Sequence, residues 1–199
     1  MKVGFIINPI AGMGGSVGLK GTDSVLEEAI KRGAKPIAEK RAIEFLKALK
    51  KEIEFYTCSS KMGENALKKV GKKAKIIYKT PKHTTAEDTK KAAREMAKKV
   101  DLIVFVGGDG TACDVYDAIN SSIPILGVPS GVKMYSAVFA FTPKDAAEIV
   151  EEFEDLPLEE REIMDIDEDA FRKGEFKVCL LYTSPSPRDR TRARMPSSA

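Results

Sequence analysis

Residues 102–111 read Leu-Ile-Val-Phe-Val-Gly-Gly-Asp-Gly-Thr, a wholly apolar run that passes without a break into a glycine-rich turn. Five consecutive apolar residues, Leu102 to Val106, fit a strand buried on both faces, the kind found in parallel sheets. After Thr111, Val115, Ala118 and Ile119 fall on one helical face, so residues 112–120 read as a helix. Strand, glycine turn and helix in succession form half of a βαβ unit. An Asp-Gly hairpin turn is the competing reading, but it needs a strand to follow and the periodicity here is helical.

Outward from this stretch, strand-like runs recur at Lys2–Asn8, Ile53–Cys58, Ala74–Lys79 and Ile123–Val128. Helical patterns separate them, which predicts an α/β fold, a doubly wound parallel sheet with helices on both faces. Two helices fit between the first two strands: Val25, Leu26 and Ala29 share one face and end at Gly33, then Ala42, Phe45, Leu46, Leu49 and Ile53 continue at helical spacing. Thr84 with Glu87 has the capping-box pattern for a helix running to about Lys99, and Thr142-Pro143 with Asp145 opens another.

Beyond Asp155 the text changes to REIMDID, a turn through Asp169 to Gly174, and EFKV, which predicts a hairpin starting a β-rich second domain. Asp165, Asp167 and Asp169 do not make a calcium loop, because Ala170 stands where glycine is needed and no glutamate closes it. The expected organisation is an α/β domain over 1–158, the beginning of a truncated β-rich domain over 159–178, and a non-native tail over 179–199. From Cys179 the text reads CLLYTSPSPRD and ends in RMPSSA, a proline, serine and arginine bias absent earlier. It looks like the translation of a transposase-type sequencing adaptor followed by a flow-cell primer, and it is expected to add nothing to the fold.

Composition narrows the function classes. Arg188, Arg190, Arg192 and Arg194 against Asp189 account for the whole formal charge of +3, so the body is neutral and a nucleic-acid partner is not expected. No run of about 18 apolar residues offers a membrane span, and the amino terminus is not a signal, so the expected compartment is the cytoplasm, with no membrane partner. Cys58, Cys113 and Cys179 fit neither a disulfide framework nor a zinc spacing, and no metal-ligand set is visible.

In a doubly wound sheet, ligands bind at the carboxyl ends of the strands, and three such loops are rich in glycine. The first follows strand one with Asn8, Pro9, Gly12 and Gly14; both a flexible loop and a phosphate cradle fit it. The second holds Gly107, Gly108, Asp109, Gly110 and Thr111. Its glycines free the backbone to wrap a phosphate, and Thr111 is read as the cap of the helix that follows. A carboxylate is repelled by phosphate unless it binds magnesium or accepts a proton from an incoming hydroxyl, so Asp109 points to catalysis. The third follows strand five with Pro129, Ser130, Gly131 and Lys133, ahead of an expected helix; Ser130 and Lys133 suit a phosphate or a ribose, and Lys133 also suits an exposed surface. His83, the single histidine, sits in a polar loop and reads as solvated, while Thr84, Thr85 and Asp88 are accounted for by helix capping.

Together these loops resemble the superfamily of NAD kinases and diacylglycerol-type lipid kinases, which share the GGDGT signature read at Gly107–Thr111. The stretches NPIAGMGG, TTAEDT, VGGDGTACDVYDAI, GVPSGVKM and MDIDEDAF are similar to the archaeal and bacterial ATP-NAD kinase-like group, and the resemblance spans residues 1–178. It implies that Asp109 activates the acceptor hydroxyl, that Mg2+ accompanies the nucleotide, and that a β-rich domain supplies much of the acceptor site. ATP or polyphosphate and NAD are the implied substrates, with a homo-oligomer as the expected assembly. Pro129 stands where NAD kinases tend to have asparagine, and Ser130–Lys133 replace the G-T-x-N-D pattern of the lipid branch. The expected activity is transfer of the ATP γ-phosphoryl to the 2′-hydroxyl of NAD; a lipid or other small-molecule kinase and a nucleotide sensor without turnover are the alternatives.

Overall fold

The computed structural model describes residues 1–13, 31, 33, 36–130, 134–165 and 177–183. Five strands, β1 (Lys2–Ile7), β2 (Glu54–Cys58), β3 (Ala74–Tyr78), β4 (Leu102–Gly107) and β5 (Ile125–Pro129), form one sheet. All its pairings are parallel, in the order β3-β2-β1-β4-β5. Parallel neighbours need crossovers, and helices supply them: α1 (Ala38–Ala48), α2 (Glu64–Lys69), α3 (Ala86–Ala97) and α4 (Asp109–Ile119), with α5 (Pro143–Glu152) following β5. The chain starts at the centre, winds outward to β3, then returns beside β1 as β4. The winding therefore reverses between β1 and β4, whose register runs from Val3↔Leu102 to Ile7↔Val106 and brings their carboxyl ends side by side.

Strand alternation divides the core in two. Val3, Phe5, Ile7, Val104 and Val106 pack toward Phe45 and Leu46 of α1 and Ile149 and Val150 of α5. Ile6, Ile103 and Phe105 face Ala92 and Met96 of α3 and Ala112 and Val115 of α4. All six residues of β4 are buried, as its uninterrupted apolar text requires. Lys90 of α3 ties α4 in place through Asp117 at 3.0 Å and Asp114 at 3.5 Å.

Several sequence expectations shift. The strand bounds agree to within two residues, but α1 ends at Ala48, so Ile53 precedes β2 instead of extending the helix. The capping box at α3 uses Thr85 and Asp88, one position beyond Thr84 and Glu87, because TTAEDT satisfies the pattern in both registers and Asp88 also reaches Tyr78. Thr142 caps α5 as expected, accepting from the Asp145 amide at 3.2 Å. The helix expected after the strand-five loop is absent from residues 134–142. Instead the chain loops round and passes alongside β5 in the parallel sense, where Gly127 donates to Val138 O at 2.9 Å and Ala140 donates to Gly127 O at 3.0 Å. The Phe139 ring lies over Gly127, and a Cβ there would sit 2.3 Å from it, so only glycine permits this extra pairing. The helix expected around Val25, Leu26 and Ala29 lies outside the described residues.

A second sheet pairs β6 (Glu159–Asp165) with β7 (Lys177–Thr183), antiparallel and in register from Glu159↔Thr183 to Asp165↔Lys177. Ile163 is fully buried against the α4 side of the main sheet. The pairing continues through Cys179–Thr183, inside the segment expected to add nothing to the fold, because CLLYT is apolar and β-prone enough to extend an existing ladder. Asp167, Asp169 and the turn to Gly174 lie outside the described residues. Among the described residues, no helix is long and apolar enough to cross a membrane.

Candidate active site

In such a sheet the usual ligand position is the crevice at the reversal of winding, here beyond the ends of β1 and β4. Asn8 organises its first wall. Its amide donates to Val106 O at 2.9 Å, continuing the ladder, and its Oδ1 accepts from the Ile10 amide at 3.2 Å, which folds the chain back. Gly12 follows at φ 79°, a left-handed conformation that suits glycine. From the same side chain, Nδ2 donates to Thr111 Oγ1 at 2.9 Å.

The second wall is the head of α4. Here β4 gives way to helix within one residue: Gly108 is the N-cap, in extended conformation, and Asp109 begins the helix. Thr111 is therefore not the cap. It lies in the first turn, buried, where it receives Asn8. The sequence misplaced the start because Gly108, Asp109 and Gly110 hide the helical period, which resumes only at Ala112. Gly107 is required by contact, since a Cβ on it would fall 2.5 Å from Thr111. Gly108 and Gly110 are different: a Cβ on either meets nothing within 4 Å, and Gly108 has φ −119°, open to any residue. Packing does not demand glycine at these two positions, and the space beside their backbone is open. The amides of a first helical turn have no intrahelical acceptor and attract anions.

Asp109 is half-buried, and its carboxylate accepts from the Tyr135 amide on Oδ2 at 3.0 Å and from the Ser136 amide on Oδ1 at 2.9 Å. The Ser136 hydroxyl also donates to Oδ1. Neither Tyr135 nor Ser136 was among the residues the sequence singled out; the one signal was that both follow Lys133 in the same strand-end loop.

Ser130 joins the site through the backbone, its amide donating to Gly107 O at 3.1 Å. Its hydroxyl is buried, at 3% exposure, without a hydrogen-bond partner among the described residues. A buried hydroxyl left so costs roughly 1–3 kcal/mol, a deficit that a ligand oxygen or a bound water would offset. Gly14, Gly131 and Lys133 lie outside the described residues. The structure thus brings together Asn8, Gly107, Gly108, Asp109, Gly110, Thr111 and Ser130, with Gly12 at the turn beside Asn8.

The neighbouring strand ends are built differently. Tyr78 donates to Asp88 Oδ1 at 2.7 Å, and the Thr85 amide and hydroxyl donate to Oδ2 at 2.8 and 3.0 Å. Burial works against the Asp88 charge, but these bonds outweigh it and hold the carboxyl below its usual value. The same bond to Asp88 pushes the Tyr78 phenol up to about 12. Burial pushes the Cys58 thiol up to about 12 as well, so it is inert at neutral pH. These groups support a helix cap and a core, and His83 is exposed in the loop before them.

Among the described residues, no three His, Cys, Asp or Glu side chains cluster to cage a metal. Mg2+ rarely uses such a cage; it commonly arrives on a nucleotide's phosphates and takes one or two carboxylates. Asp109 at the head of α4 fits that role as well as the role of a base.

Residues 3–156 match the family of the ATP-NAD kinase N-terminal domain. Among solved structures, one described as a "putative diacylglycerol kinase" from Bacillus anthracis str. Sterne is similar at 20% identity and a TM-score of 0.32. The likeness covers 66% of this chain and 33% of that one, so this chain spans about a third of its length. A comparison with curated proteins gives no match.

Proposed function

Since the chain belongs to the ATP-NAD kinase family, we propose that it moves the γ-phosphoryl group of ATP, or a terminal phosphoryl of polyphosphate, to the 2′-hydroxyl of NAD, giving NADP. One observation carries this reading: Asp109 heads α4 at the switch point, between two glycines that packing does not require. The amides of Gly108, Gly110 and Thr111 are the donors for the phosphates, with Asn8 and Thr111 holding that turn in shape. The Ser130 hydroxyl is a further donor for a phosphate or ribose oxygen.

Asp109 takes the proton of the acceptor hydroxyl. The hydroxyl oxygen forms a bond to the γ-phosphorus as the bond to the β-phosphate oxygen breaks, and ADP leaves. Mg2+ would arrive with the nucleotide, Asp109 being the carboxylate of this site that could hold it, and would supply neutralisation of the charge that builds on the transferring phosphoryl group. Residues 1–158 are assigned to nucleotide binding, and the hairpin from residue 159 to the start of the acceptor-binding part.

A nucleotide sensor without turnover is the second reading, and it draws on the three donors that already occupy the Asp109 carboxylate. Incubation with γ-labelled ATP and NAD, followed by product separation, decides between them. Labelled NADP supports the proposal; nucleotide binding with no labelled product from a chain that carries its acceptor-binding part supports the sensor.

A further inference from the structure

We infer that Ser136 is a positioning residue for phosphoryl transfer, anchoring Oδ1 of Asp109 so that Oδ2 is the atom that takes the hydroxyl proton. This rests on the reading of Asp109 as the base. An ionised carboxylate only accepts hydrogen bonds and has about four lone-pair sites, two on each oxygen. Oδ1 receives the Ser136 amide at 2.9 Å and the Ser136 hydroxyl, while Oδ2 receives the Tyr135 amide alone among the described residues, at 3.0 Å. Among the described residues, then, Oδ1 has two donors and Oδ2 has one.

Ser136, which fills Oδ1, is itself buried, at 5% exposure. The clamp is also fixed from behind. Two residues beyond Ser136, Val138 O accepts from Gly127 N at 2.9 Å, then Ala140 N donates to Gly127 O at 3.0 Å, and Phe139 packs edge-on to Phe105 with ring centres 5.4 Å apart. The carboxylate is therefore referenced to β5 through a short, paired backbone segment, while its own backbone is referenced to β4. Two independent attachments fix both its position and its rotation.

This matters for a base because transfer depends on near-attack geometry, and a displacement of about 1 Å costs on the order of a hundredfold in rate. Hydrogen bonds to an ionised group are about twice as strong as neutral ones, which makes the Ser136 hydroxyl an effective anchor. The proton balance also closes. The acceptor O–H bond breaks and its proton moves to Oδ2; the resulting acid keeps Oδ1 as a carbonyl acceptor, so the Ser136 bonds persist through the step.

The test compares Ser136→Ala, Ser136→Thr and Asp109→Asn with the unaltered chain. The protein is held in excess over γ-labelled ATP with NAD present, and the single-turnover rate, the ATP Kd and the melting temperature are measured for each. Removing the hydroxyl in Ser136→Ala lowers the transfer rate about tenfold, on the scale of one charge-assisted bond and the geometry it holds. ATP Kd stays put, and Ser136→Thr, which restores the hydroxyl, restores most of the rate. In spectra of labelled protein, the Tyr135 and Ser136 amide signals move in Asp109→Asn. A Ser136→Ala rate within about twofold of the unaltered chain, a rate increase, or no recovery in a folded Ser136→Thr overturns the inference, well under the bond scale expected. If Asp109→Asn itself keeps its rate, the base reading falls first. A slow Asp109→Asn beside an unaffected Ser136→Ala removes this inference alone, and no NADP from an unaltered chain that carries its acceptor-binding part removes both.

Discussion

Asn8 donates from Nδ2 to Thr111 Oγ1 at 2.9 Å, joining the end of β1 to the first turn of α4 across 103 positions of sequence. The other end of the same amide accepts from Ile10 N at 3.2 Å. One side chain thus shapes the turn after β1 and steadies the head of α4, the two walls of the crevice.

Replacing Asn8 by alanine removes both bonds and costs about 1–2 kcal/mol, or several degrees in Tm for a chain of this size. ATP affinity falls with it. Asn8→Asp separates the two effects, since its carboxylate still accepts from Ile10 and can accept from the Thr111 hydroxyl, yet adds a negative charge where phosphate is expected. Melting recovers in Asn8→Asp while ATP binding, read by calorimetry, weakens further. Binding that recovers along with stability makes Asn8 a fold residue and nothing more.

Gly110→Ala tests the cradle in the opposite direction. A Cβ at Gly110 meets nothing within 4 Å, and the residue lies inside α4, so alanine should raise stability by about 0.5–1 kcal/mol. The same methyl intrudes on the space assigned to phosphates, and ATP affinity drops about tenfold, the scale of one lost bond to a charged group. A variant that is more stable and binds ATP as before shows that the open space is unused.

The sheet was legible because LIVFV, KVGFII and ILGVP are apolar runs of strand length between helical stretches, and burial on both faces leaves no other place for them. Asp109 was legible because a carboxylate among glycines conflicts with a phosphate turn unless it has a chemical task. The start of α4 was not, since glycine, aspartate and glycine carry no helical period and the apolar face begins only at Ala112. Tyr135 and Ser136 were not legible for a different reason. Their relation to Asp109 depends on the chain looping round to pass alongside β5, and that pairing depends on Phe139 finding no Cβ at Gly127, a long-range fit that no local pattern encodes.

Asp88 gives the fold a pH dependence. Burial acts against its charge, but the bonds from Tyr78 and Thr85 hold its folded pKa below the usual value. Between the two values the unfolded chain binds more protons than the folded one, so stability there rises with pH. The contribution is complete above the ordinary aspartate range and is lost as pH falls through it to the depressed folded value. Asp88→Ala should cost about 1–3 kcal/mol at pH 7, with the gap to the unaltered chain closing on acidification. Urea unfolding of both proteins from pH 7 downward checks this, and a gap that stays constant assigns Asp88 a role independent of its charge.

Asp109→Asn carries the mechanism. The amide keeps the shape of the side chain and one acceptor oxygen but removes the charge and nearly all basicity. It also places an NH2 group against donors from Tyr135 and Ser136, so part of the clamp is lost, and thermal stability has to be measured beside the kinetics. If Asp109 accepts the hydroxyl proton, kcat falls by roughly 10² to 10⁴, the scale of general-base catalysis, while ATP affinity changes little. If it holds magnesium instead, nucleotide affinity falls too, and raising magnesium recovers part of the rate. If its task is only to pin Tyr135 and Ser136, the melting temperature drops and kcat at a temperature where the variant is folded stays within about threefold, far inside the general-base range. Steady-state kinetics with ATP, NAD and magnesium varied separately resolves the three, and the last outcome takes Asp109 out of the chemistry and leaves it as a structural clamp.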